Sequence, residues 1–161
     1  MHIFIFSKPI RSGKTTGLLH WSQRQKNITG ILMPDINGKR HIQFIETNEK
    51  FIVECDDPDN TNERLVNIGR FHFYAAAFEK ANSHIIQASA KPFDWLVIDE
   101  VGRLEIEEKG FYPALAILLH TGGYKNLLLV VRDSLYEQVI SFFKITDHVL
   151  IHQLNELGEK N

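Results

Sequence analysis

The chain is expected to form a three-layer α/β fold around a mainly parallel sheet, on the strength of three observations. Uninterrupted apolar runs at 3–6, 95–98 and 127–131 have the pattern of strands covered on both faces. Segments of helical character at 15–26, 74–90, 113–120 and 134–144 alternate with them, as parallel pairing requires. The third is a small antiparallel meander predicted over 28–55, set into this alternation. A length of 161 residues, with 43% hydrophobic and 24% charged residues, suits one domain spanning 1–161 with no internal repeat.

The first apolar run, Ile3-Phe4-Ile5-Phe6, drives into Ser7-Lys8-Pro9-Ile10-Arg11-Ser12-Gly13-Lys14-Thr15-Thr16. The helix predicted over 15–26 then offers Leu18, Leu19 and Trp21 to a core. The meander is read as strands 28–35, 40–46 and 51–55, joined by Asn37-Gly38 and by 47–50. Asn-Gly is the strongest two-residue hairpin signal. Pro34 fits an edge strand or a strand end. Residues 56–63 read as an exposed loop whose aspartates lack the glycine and terminal glutamate of a calcium loop.

The helix over 74–90 carries Tyr74, Ala77, Phe78, Ala81, Ile85 and Ala88 on one side and is stopped by Pro92. Trp95-Leu96-Val97-Ile98 is a buried strand that ends in Asp99-Glu100. A helix over 113–120 closes at Gly122-Gly123, and the strand 127–131 leads to Ser134-x-x-Glu137, read as a capping box opening the next helix. Residues 149–151 supply a last strand.

Composition narrows the function. A net charge of −2 with no basic tail argues against nucleic acid as the main partner. The one cysteine, Cys55, excludes a disulfide framework and a multi-cysteine zinc site, and reads as a plain structural thiol. The eight histidines show no paired-ligand spacing and read as surface or packing residues. No apolar stretch approaches the about 20 residues that span a bilayer, so a membrane partner is not expected and the cytoplasm is. Phe71, Phe73 and Tyr74 could stack on a base, with core packing as the commoner use.

The chemistry lies in two half-signals. Gly13, Lys14 and Thr15 are the second half of a phosphate-binding loop, G-x-x-x-x-G-K-[ST], whose first glycine falls on Lys8. Lys8, Pro9, Ile10, Arg11, Ser12, Gly13, Lys14, Thr15 and Thr16 would form the cradle; Pro9 has no N–H, but the donors come chiefly from Arg11 to Thr16, which keep theirs. Lys8 and Arg11 either add positive charge there or lie solvated. In an open α/β sheet the loop after the first strand and Asp99-Glu100 after a later one share the crevice at the strands' carboxyl ends. Lys14 would then neutralise the outer phosphates, Thr15 and Asp99 would hold Mg²⁺, and Glu100 would orient or deprotonate a water. Arg70, Arg103 and Arg132 are candidates for an arginine that stabilises the transition state; Arg132 directly follows a core strand, and Arg103 sits just past Glu100.

Ser12-Gly13-Lys14-Thr15-Thr16, Ile68-Gly69-Arg70-Phe71 and Val97-Ile98-Asp99-Glu100-Val101-Gly102-Arg103-Leu104-Glu105 together resemble the small P-loop nucleoside triphosphatase family. The resemblance implies a RecA-like core with an inserted antiparallel hairpin. It also implies Mg²⁺-dependent hydrolysis of ATP, GTP and other nucleoside 5′-triphosphates to diphosphates, at a slow rate if no arginine reaches the γ-phosphate. Two other readings stay open: a P-loop kinase for a nucleoside or other small molecule, and a nucleotide-dependent switch or adaptor.

Overall fold

A computed structural model describes residues 2–9 and 13–157. In chain order these form β1 (His2–Lys8), α1 (Lys14–Ser22), β2 (Ile28–Leu32), β3 (Asp35–Ile36), β4 (Lys39–Phe44), β5 (Lys50–Ile52), β6 (Leu65–Ile68) and β7 (Phe71–Tyr74). There follow α2 (Ala75–Ser89), β8 (Trp95–Val101), α3 (Arg103–Ile106), α4 (Tyr112–Thr121), β9 (Asn126–Arg132), α5 (Tyr136–Phe142) and β10 (Val149–Ile151).

The main sheet has the order β10-β1-β9-β8-β2-β4-β3, with β5 also on β4. Its first five strands are parallel, and the antiparallel unit β3–β5 extends the β2 edge. The α/β, mainly parallel expectation therefore holds. One consequence matters for the site: β9 separates β1 from β8, so the loop after β1 and the acids ending β8 flank the end of β9.

Alternation along the strands divides the core into two layers. Ile5, Ile31, Ile98 and Leu129 pack with Phe78 and Ile85 of α2, Leu115 and Leu118 of α4 and Val139 of α5. Phe6, Leu32, Val97, Leu128 and Val130 point the other way, onto Leu18 and Trp21 of α1. Each fully buried side chain of this size contributes roughly 1.5–3 kcal/mol. Gly30 belongs to this packing: at φ 122° it lies against β8, where a Cβ would be driven into the Val97 carbonyl.

The Asn37-Gly38 turn has φ 54° and 78°, both left-handed, as a two-residue hairpin between twisted strands demands. Other local readings need correction. α1 ends at Ser22, whose hydroxyl turns back to the Leu19 carbonyl at 2.9 Å, rather than continuing to 26. The expected Ser134 capping box does not form: the Asp133 carboxylate takes the Ser134 amide at 2.7 Å, and a 3₁₀ turn, Asp133–Leu135, precedes α5. The hairpin β6–β7, with its left-handed Gly69 at φ 56°, was not foreseen. No helix among the described residues is long and apolar enough to cross a membrane.

Candidate phosphate and metal site

β1 delivers the chain to Lys8 and Pro9, and Gly13, at φ 74°, turns it into α1. No side chain caps α1 and its first turn holds no acid, so its leading N–H groups and dipole are available to an anion. Ile10, Arg11 and Ser12, named as cradle residues, lie outside the described residues. Lys8 pairs in extended register with Arg132, so its side chain entails no left-handed strain. Its ammonium stands 5.4 Å from the Phe6 ring centroid. Thr16 is exposed.

Lys14 is buried, and its ammonium donates to the carbonyls of Pro9 at 2.9 Å and Lys8 at 3.3 Å. Burial pulls its pKa below the ordinary lysine value, against the raising pull of Glu100 and Asp99. Thr15 Oγ1 donates to Asp99 Oδ2 at 2.8 Å, joining α1 to the end of β8 across 84 residues of sequence.

Asp99 is fully buried, and its carboxylate also accepts the amides of Met33 at 3.0 Å and Glu100 at 2.9 Å. Its pKa is pushed up to about 6, first by burial and then by the Glu100 charge. No cation pairs with it among the described residues. A buried carboxylate with a hydroxyl beside it and no direct ion-pair partner among the described residues is a donor set that suits a small hard divalent cation. The two protein ligands fit Mg²⁺ because that ion fills its remaining positions with water and phosphate oxygens. No group of three or more His, Cys, Asp or Glu forms a metal cage among the described residues.

Glu100 has a strained, left-handed backbone at φ 58°. The β8–β9 register shifts between Ile98 and Val101 around it, so Glu100 leaves the strict alternation of its strand. Its Oε2 meets Arg132 Nη2 at 3.2 Å and its Oε1 meets Arg40 Nη1 at 3.4 Å. Arg132, the last residue of β9, is thus brought into the crevice along with Lys14, Thr15, Asp99 and Glu100. Arg103 opens α3, is exposed and makes no ion pair among the described residues. Arg70 sits in the β6–β7 turn over the Phe71 ring at 5.1 Å. Sequence reasoning alone does not single out Arg40 from its basic neighbour Lys39; only the pairing of β4 in the sheet brings its guanidinium to Glu100.

Glu105, which closes the motif that begins at Val97, had no role assigned from the sequence. Fully buried, it accepts the Gly102 amide at 2.8 Å and the Phe111 amide at 2.9 Å, holding the turn that follows Glu100. Burial pushes its pKa up to about 7 against those two bonds. Beside Lys14, an open cavity of about 520 Å³ is lined by Phe6, Lys8, Gly13, Gly17 and residues 152–155 after β10. The whole arrangement can take a polyanion at α1, a divalent cation at Thr15 and Asp99, and a water at Glu100.

A protein-family model described as NTPase matches residues 2–158. The nucleoside-triphosphatase THEP1 of Methanosarcina barkeri (strain Fusaro / DSM 804) is 29% identical over 94 residues, which is 58% of this chain and 49% of that protein. The match therefore spans about half the length of that curated relative. Among solved structures, THEP1 from the hyperthermophile Aquifex aeolicus superposes with TM-score 0.68 and 20% identity, covering 99% of this chain and 94% of that one. A human cancer-related nucleoside triphosphatase superposes with TM-score 0.66 and 20% identity, covering 96% and 90%. At that identity the two structures speak for the fold.

Proposed function

This chain belongs to the NTPase family, and from that premise we propose that it hydrolyses nucleoside 5′-triphosphates to diphosphate and phosphate in the crevice between α1 and the end of β8. The observation that carries the reading is the Thr15–Asp99 hydrogen bond with Glu100 next in sequence, because it joins the phosphate half of the site to the acid half.

In this reading the N-terminal amides of α1 hold the phosphates, and Lys14 exchanges the Pro9 and Lys8 carbonyls for β- and γ-phosphate oxygens. Thr15 and Asp99 would hold Mg²⁺, which when bound neutralises charge on the transferring phosphoryl group. Glu100 orients the attacking water and accepts its proton. Arg132 lies where it can stabilise the developing charge once it leaves Glu100. Because that arginine begins tied to a carboxylate, turnover is expected to be slow.

Breadth toward the base follows from the cavity wall. His152, Gln153 and Asn155 are exposed and Leu154 is apolar, which gives a base something to lie against but no buried donor set to read its edge. The proposed setting is the cytoplasm, the working unit the single domain 1–161, and the partner a nucleoside triphosphate such as ATP or GTP.

The test is phosphate release with Mg²⁺ from ATP, GTP, CTP and UTP, using Lys14→Ala as the blank. Comparable release from all four, lost in the blank and on chelation of the metal, is the expected result. Release that persists in Lys14→Ala contradicts it.

A further inference from the structure

Arg40 has no part in the reading above, yet it stands in the site. Its backbone is fixed on β4: the amide donates to the Glu54 carboxylate at 3.1 Å, and the carbonyl accepts the amides of Val53 at 3.1 Å and Glu54 at 3.3 Å. Only the side chain is left to move. Asp35 is directly opposite in the β3–β4 register but spends its carboxylate on the Gly38 amide at 2.8 Å, and Arg40 turns to Glu100 instead.

One carboxylate thus carries two guanidiniums, each through a single contact of 3.2–3.4 Å. Tight charge-assisted bonds are shorter, about 2.7–2.9 Å, and a guanidinium has five N–H donors to offer. Both arginines are about a third exposed, and ion pairs of that exposure are readily exchanged. A phosphoryl group brings more negative charge than a carboxylate and accepts two parallel N–H bonds, so it competes well for such a cation. The phosphoryl group that approaches Glu100 in the hydrolytic reading is the terminal one.

We propose that Arg40 reads the third phosphate: its guanidinium holds Glu100 before nucleotide binds and transfers to the γ-phosphate when a triphosphate enters. The inserted antiparallel unit thereby discriminates triphosphate from diphosphate and releases Glu100 on one oxygen only when there is something to hydrolyse. This rests on the hydrolytic reading and goes beyond it. A diphosphate leaves Arg40 where it is.

Isothermal titration with the Mg²⁺ complexes of ADP and of a non-hydrolysable ATP analogue tests the exchange. Arg40→Ala is expected to weaken the analogue about tenfold or more while the Kd for ADP stays within about twofold. Arg40→Lys, which keeps the charge without the fork, is expected to fall between, and it keeps the test alive if the alanine variant does not fold. Glu100→Gln, which loosens both arginines, is expected to tighten the analogue several-fold, and to do so less when combined with Arg40→Ala, which leaves only the freed Arg132. An analogue-to-ADP ratio unchanged by Arg40→Ala, or equal weakening of both ligands, overturns the proposal. If the wild-type protein hydrolyses ATP and that ratio is still unchanged, this inference alone fails; if the wild-type protein binds neither ligand, the hydrolytic reading fails and takes the inference with it.

Discussion

Lys8 occupies the position where the phosphate-loop pattern has glycine, and its geometry explains how a side chain can stand there. It is the last residue of β1, in extended register with Arg132, and its ammonium leans over Phe6 at the rim of the cavity beside Lys14. Glycine's freedom is needed instead at Gly13, the left-handed residue before α1. Lys8→Ala should therefore weaken nucleotide binding a few-fold through lost charge, a change within about 1 kcal/mol that titration of Mg²⁺-nucleotide will register. Tighter binding would mean that the side chain obstructs the loop. Lys14, Thr15, Asp99 and Glu100 were legible in the sequence because each sits in a contiguous run whose residue types state a chemistry. Arg40 was not, since it depends on strand pairing; Glu105 was legible as a motif residue, but its role was not, because that depends on a turn closed by its own carboxylate.

Elements carry their own tests. Gly30 lies in β2 against the Val97 backbone at a φ that side chains rarely adopt. Gly30→Ala is expected to cost at least about 3 kcal/mol, a fall in Tm of about 6–12 °C by calorimetry. The loss should be one of stability rather than of site chemistry. Glu105 gives the α3 turn a pH dependence whose sign follows from its raised pKa, about 7 against an ordinary 4.5. A carboxyl raised by folding stabilises most when protonated, so its contribution is complete below about 4.5 and is lost as pH rises through about 7. Glu105→Gln cannot titrate, and the Tm advantage of the wild-type protein over it should shrink between pH 5 and 8. An advantage that grows over that range contradicts the assignment. Strands and helices of the parallel layer were readable from apolar runs and helical periodicity. The end of α1, the start of α5 and the β6–β7 hairpin were not, because single side-chain contacts such as Asp133 to the Ser134 amide decided them.

At the scale of the whole molecule, strand order makes the site. Placing β9 between β1 and β8 brings Lys14, Arg132 and Glu100 from three separate stretches of chain to one crevice, and the antiparallel unit beyond β2 adds Arg40. The sequence pattern predicted that the two half-signals share a crevice, from the rule that ligands sit at the carboxyl ends of parallel strands. It did not predict which strand lies between them. In the proposed reaction Glu100 activates water for a nucleotide held by Lys14 and Thr15. Phosphate release by Glu100→Gln, measured alongside its affinity for Mg²⁺-nucleotide, tests this most directly. Release should fall about 10²–10⁴-fold with binding retained or tightened; turnover equal to wild type at undiminished binding would rule out Glu100 as the base.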